Sequence, residues 1–149
     1  MNEKLKFNVT ARGLIIHEGK LLICKLHSHD SFYCLPGGKL DISETIEQTM
    51  IREMVEESGI TPVVGNLLFI NQLINKTHHR IEFFYHIKNA QDYLEADLNT
   101  ATHANEIAEW KLADIRNDEY DLRPSFLIEL ANTYLDKPEK TTMRIMNSD

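Results

Sequence analysis

With 149 residues, 42% apolar and 26% charged, the chain is long enough for one good core and too ordinary in composition to be disordered. Its formal net charge of −7 excludes a general nucleic-acid binder, which carries a basic face. No apolar run reaches the length of a signal peptide or a membrane span, so residues 1–149 are expected to form a single cytoplasmic domain, monomer or homodimer, with no nucleic-acid or membrane partner.

Val9 to His17 and Lys20 to Leu26 are apolar, β-branched segments joined by Glu18-Gly19, which predicts a hairpin. Ser31 to Leu35 makes a short strand that runs into a Pro36-Gly37-Gly38 loop. From there to Gly59 no Gly or Pro interrupts the chain, as a helix requires. Asp41 and Ser43 are both credible N-caps, and Gly59 suits the left-handed position beyond the last turn.

At about 100° per residue, Met50, Ile51, Met54 and Val55 fall on one side of this helix. Glu53, Glu56 and Glu57 fall on another. Three glutamates at this spacing repel one another near the negative end of the helix dipole, and Arg52 offsets only part of that charge. Carboxylate oxygens are the donors that hard divalent cations select. The acidic face therefore reads as a metal site.

Two further strands are expected, Val63 to Ile74 and Arg80 to Lys88, around a turn at Asn75-Lys76-Thr77. Phe83, Phe84 and Tyr85 alternate faces, so one side packs the core and the other is free to line a cleft. Gln91 to Asn105 reads as a polar loop and Glu106 to Leu112 as a strand, with Trp110 packing in the core or at the sheet edge. A final helix is expected over Ser125 to Leu135 after Arg123-Pro124, then a loose polar tail from Asp136 in which Met143 to Met146 is a candidate for pairing. Cys24 and Cys34 lack metal-type spacing and read as reduced residues in or near the core, and His78-His79 reads as a turn or strand edge.

Gly38, Glu44, Arg52, Glu53, Met54, Glu56, Glu57, Gly59 and Ile60 together fit the pattern G-x5-E-x7-R-E-U-x-E-E-x-G-U, with U a bulky apolar residue. On these nine positions the chain resembles the Nudix hydrolases of the MutT-like kind. The resemblance implies the α/β Nudix fold, a mixed β-sheet held between α-helices, over roughly residues 7 to 135. It also implies hydrolysis of a diphosphate linkage in a nucleoside diphosphate derivative, with Mg2+ as cofactor and Mn2+ as a possible substitute.

Carried over by position, Glu53, Glu56, Glu57 and the Gly37 carbonyl match the family's metal ligands, while Glu44 and Arg52 match the pair that ties loop to helix. A carboxylate outside the box is expected just before Trp110, with Glu106 preferred to Glu109. A net charge of −7 suits a polyphosphate substrate only if metal supplies positive charge, helped by Lys39, Lys25, Arg12 and Arg80. The substrate signatures of several subfamilies are missing near Asn75-Lys76 and after Pro124. Nucleoside triphosphates, nucleotide sugars and ADP-ribose therefore all stay open. The alternative is a catalytically inactive, nucleotide-sensing domain of the same fold, although such domains usually lose box glutamates.

Overall fold

A computed structural model of the protein describes residues 5–98, 101–102, 104–117, 119–129 and 144–148. The hairpin forms as expected: β1 (Lys6–His17) and β2 (Lys20–Leu26) meet at Glu18 and Gly19, whose φ values of 49° and 73° match the twist of the flanking strands. β3 (His29–Cys34) lies against β2. The Pro-Gly-Gly segment is not a plain loop. Gly37–Lys39 forms β4, antiparallel to β1 with Arg12 opposite Gly37 and Thr10 opposite Lys39.

After α1 (Ile46–Ser58) come β5 (Val64–Ile74) and β6 (His78–Ile87). β1 runs parallel to β6 from Lys6 beside His78 to Ile15 beside Ile87, and this long pairing extends β1 three residues upstream of its expected start at Val9. The stretch expected as a polar loop holds α2 (Ala90–Glu95) and a 3-10 turn (Ala104–Glu106). α2 is short, and its buried residues are Ala90 and Tyr93, too few for a periodic signal.

β7 (Ile107–Ala113) then pairs with β2, and β8 (Arg144–Ser148) pairs in parallel with β5, so Arg144 to Met146, within the segment expected as a candidate for pairing, do pair in a tail otherwise expected to be loose. Of the expected last helix, Ser125 lies in a turn, residues 126–129 are helical and 130–135 lie outside the described residues.

The strands form one mixed sheet in the order β3-β2-β1-β6-β5-β8, with β4 also on β1 and β7 also on β2. One side packs Leu14, Ile23, Leu35, Phe69, Phe84 and Phe126 together, and the Phe69 and Phe84 rings stack at 4.5 Å. On the other side α1 seats Met50 and Met54 against Ala11, Ile15, Leu22, Ile87 and Tyr93, with Tyr85 and Trp110 at the margin. Full burial of each methionine stabilises by about 1.5–3 kcal/mol.

The expected apolar face of α1 needs correcting. Val55 is exposed, and the buried stripe is Thr49, Met50, Met54, Glu57 and Ser58. The helix is turned so that one of its glutamates is pressed into the protein. Among the described residues no helix is long and apolar enough to cross a membrane.

Candidate active site

The position of α1 is set at both ends. Thr45, not Asp41 or Ser43, is the N-cap: its hydroxyl accepts from the Gln48 N–H at 3.1 Å while the Gln48 amide oxygen accepts from the Thr45 N–H at 2.8 Å. Asp41 instead donates its N–H to Glu44 at 3.2 Å. At the far end Gly59 takes the left-handed conformation, φ 74°, and donates to the Val55 carbonyl at 2.8 Å, as expected.

Two glycines let the loop and the helix touch. Gly37 has φ 132°, and a Cβ there would run into the Ala11 carbonyl oxygen. A Cβ on Gly38 would occupy the place of the Glu53 carboxyl group. The Gly37 N–H donates to Glu57 Oε2 at 2.9 Å. Burial pushes the Glu57 pKa up to about 8; the Gly37 N–H and Arg12 oppose the rise, and the charge on Glu53 adds to it. Among the described residues Glu57 makes no direct ion pair, and the charge of the buried Arg12 offsets only part of the cost of its burial.

Arg52 organises the other carboxylates. Its guanidinium takes Glu44 in a bidentate grip, Nε to Oε1 at 2.6 Å and Nη2 to Oε2 at 2.9 Å. It also reaches Glu53 at 2.8 Å, Glu56 at 3.5 Å, Asp41 at 3.4 Å and the Lys39 carbonyl at 3.0 Å. Arg52 first of all, then the Thr49 hydroxyl and the Asp41 N–H, hold the Glu44 pKa down to about 2 against the opposing effect of burial. The tie between loop and helix expected of Glu44 and Arg52 is thus present in the geometry.

The Arg52→Ala variant should lose about 1–3 kcal/mol of stability, because half-buried acceptors are left unpaired. A urea midpoint unchanged from wild type would show the pair to be surface ornament.

The basic residues divide. Arg12 was expected among the substrate-facing cations, but its Nη1 donates to the Leu35 carbonyl at 3.2 Å and the Gly37 carbonyl at 3.0 Å. It props the loop from below. Burial works to lower its pKa, yet nearby Cys34, Glu82 and Glu57 leave it raised. Lys39 is exposed at the end of β4, beside Arg52. Lys25 stands apart, its ammonium 4.4 Å from the centre of the Tyr33 ring, whose hydroxyl donates to Glu109 at 2.8 Å.

Glu109 is therefore committed within the sheet, while Glu106 is exposed at the end of a 3-10 turn that packs on α1. Arg80 lies 3.8 Å from Glu82, a buried carboxylate that accepts from the Asn71 amide at 3.0 Å. The sequence reading missed Glu82, although its place two residues before Phe84 puts both on one face. It also missed Thr49, which donates its hydroxyl to Glu44 at 2.9 Å and has no pattern of its own.

Among the described residues no three metal-ligating side chains already converge on one cation position. Glu53 and Glu56 lean on Arg52, and Glu57 on Gly37. The donor set nonetheless fits Mg2+ or Mn2+ chemically. It comprises three carboxylates within one and a half turns of helix and, at Gly37, a carbonyl oxygen with a second lone pair beyond its bond to Arg12.

Comparison with known proteins bears on the family and the fold. The chain is 37% identical over 62 residues to an ADP-ribose pyrophosphatase of Methanocaldococcus jannaschii, a match covering 40% of this chain and 37% of that protein. It is 37% identical over 71 residues to an 8-oxo-dGTP diphosphatase of Proteus vulgaris, covering 46% of this chain and 63% of that one. The chain thus spans less than two thirds of the length of these curated relatives. The crystal structure of a MutT protein from Methanosarcina mazei Go1 superposes with a TM-score of 0.69 at 22% identity, covering 93% of this chain and 99% of that one, which shows a shared fold. The sequence pattern of the NUDIX domain matches residues 6–126, four fifths of the 149, and on that match this chain belongs to the NUDIX domain family.

Proposed function

We propose that this protein hydrolyses a diphosphate linkage in a nucleoside diphosphate derivative: a nucleoside triphosphate, a nucleotide sugar or ADP-ribose. The observation that carries this reading is the buried Glu57 carboxylate pinned to the Gly37 N–H, with the Glu53 carboxyl filling the space that Gly38 leaves. Glu53, Glu56, Glu57 and the Gly37 carbonyl are the groups that would hold a divalent cation. Such a cation, when bound, neutralises the diphosphate and lowers the pKa of a water molecule.

The chain's own residues do the rest. Arg52 keeps Glu53 and Glu56 in place, and Arg12 fixes the direction of the Gly37 carbonyl. Lys39, exposed beside the box, offers a charge to a phosphate oxygen, and Lys25 offers a second for the part of the substrate that extends towards Tyr33. Glu106 serves as the carboxylate outside the box, as ligand or general base.

Two expected results follow. Activity on a nucleotide panel that includes ADP-ribose and 8-oxo-dGTP, the substrates named for the two relatives, requires Mg2+ or Mn2+ and rises towards alkaline pH. Full turnover in excess EDTA, or no hydrolysis of any member with metal, would overturn the reading. Separately, Glu106→Gln should lower kcat by about tenfold or more while Glu109→Gln stays within about threefold of wild type. If both stay within about threefold, neither carboxylate takes part.

A further inference from the structure

Cys24 and Cys34 stand directly opposite each other on β2 and β3, both free thiols, with their sulfurs 3.8 Å apart. Directly opposed residues of an antiparallel pair have Cα atoms about 4.5–5.5 Å apart, within the range of about 4.4–6.8 Å that a disulfide spans. Access differs between them: Cys24 is buried and Cys34 half-buried. Their place matters as well. Cys34 immediately precedes Leu35, whose carbonyl shares the Arg12 guanidinium with Gly37, and Gly37 in turn holds Glu57.

We propose that Cys24 and Cys34 are a modification site for peroxide-class oxidants, which join them in an intramolecular disulfide and thereby displace the Gly37 loop. Cys34 is the attacking thiol and Cys24 the resolving one. The hydrogen bond from Cys24, aided by the Arg12 charge, brings the Cys34 pKa down to about 7 against the effect of burial, whereas Cys24 is pushed well up.

The Cys34 thiolate attacks one peroxide oxygen and the O–O bond breaks, leaving a sulfenic acid and a hydroxide that takes up a proton to become water. The Cys24 sulfur then attacks Cys34, the S–O bond breaks, and a second water leaves with the Cys24 proton. Each sulfur is oxidised by one electron, and one peroxide is reduced to two waters.

Closure brings the sulfurs from 3.8 Å to about 2.05 Å. That contraction falls on the end of β3, which leads into the metal loop. A shift of about 1 Å at a positioned group can cost about a hundredfold in rate.

The effect on activity rests on the hydrolase reading above; the thiol chemistry does not. The full chain is treated with an equimolar amount of hydrogen peroxide, denatured, alkylated and weighed by mass spectrometry. Wild type is expected to lose about 2 Da and take no alkyl label, while Cys24→Ala keeps an alkylatable or singly oxygenated Cys34. Nucleotide hydrolysis by the oxidised wild type should fall by about tenfold or more and return with dithiothreitol.

Two alkylated thiols after peroxide, disulfide-linked dimers, or a clean intramolecular disulfide with unchanged turnover would each overturn the proposal. If the reduced protein hydrolyses nothing, the hydrolase reading fails instead, while the mass measurement still decides the thiol pair.

Discussion

Glu57→Gln, and equally Glu56→Gln, should lower kcat by about two to four orders of magnitude, equivalent to roughly 3–5 kcal/mol of transition-state stabilisation. Glutamine keeps the shape of the side chain and, at position 57, an acceptor for the Gly37 N–H, so the loop stays in place while the charge disappears. The same change has an opposite effect on stability. The Glu57 pKa is raised from its ordinary 4.5 to about 8, so in that pH window the folded chain binds more protons than the unfolded one. Stability without metal therefore falls as pH climbs from 4.5 towards 8. Thermal melts of the metal-free protein should show this loss in wild type and a flatter profile in Glu57→Gln. A variant that folds normally and keeps near-full activity would refute the ligand assignment.

Gly37→Ala should be the most damaging change of backbone. At φ 132° the new Cβ meets the Ala11 carbonyl oxygen and lies 3.0 Å from both the Ala11 carbonyl carbon and the Arg12 Cα. Neither strand can give way without parting β4 from β1. A loss of about 2–4 kcal/mol is expected, together with activity, because the Gly37 N–H and carbonyl move away from Glu57 and Arg12. Urea denaturation measures the first effect. A change below about 0.5 kcal/mol would mean that the close approach is not what holds the loop.

The parts of the fold that could be read in advance are those whose cause is local. Glu18-Gly19 between two apolar runs makes a hairpin wherever it occurs, and Gly59 ends α1 because the conformation there suits glycine. The box glutamates could be found because spacing on a helix fixes which side chains share a face. What stayed hidden depends on distant partners.

Arg12 looks like any cation in sequence, yet its partners are carbonyls 23 and 25 residues away. Thr45 competes with two other credible caps, and Asp41 is drawn off by Glu44 and Arg52 instead. Periodicity grouped Val55 with Met50, Ile51 and Met54 on one side of the helix, but α1 is rotated to leave Val55 exposed and bring Glu57 under the loop. A buried carboxylate violates the apolar pattern, which is why the pattern misread the helix at Glu57. α2 and β4 are too short to be periodic.

On the function proposed above, the acidic face of α1, with Gly37, binds the divalent cation that activity needs. Titrating Mn2+ into the protein and counting free ion by electron paramagnetic resonance tests it without reference to any substrate. Wild type should bind Mn2+ saturably, and Mg2+ should compete. The triple variant Glu53→Gln/Glu56→Gln/Glu57→Gln should leave the added Mn2+ free in solution. Equal Mn2+ binding by the triple variant and the wild type would contradict the assignment.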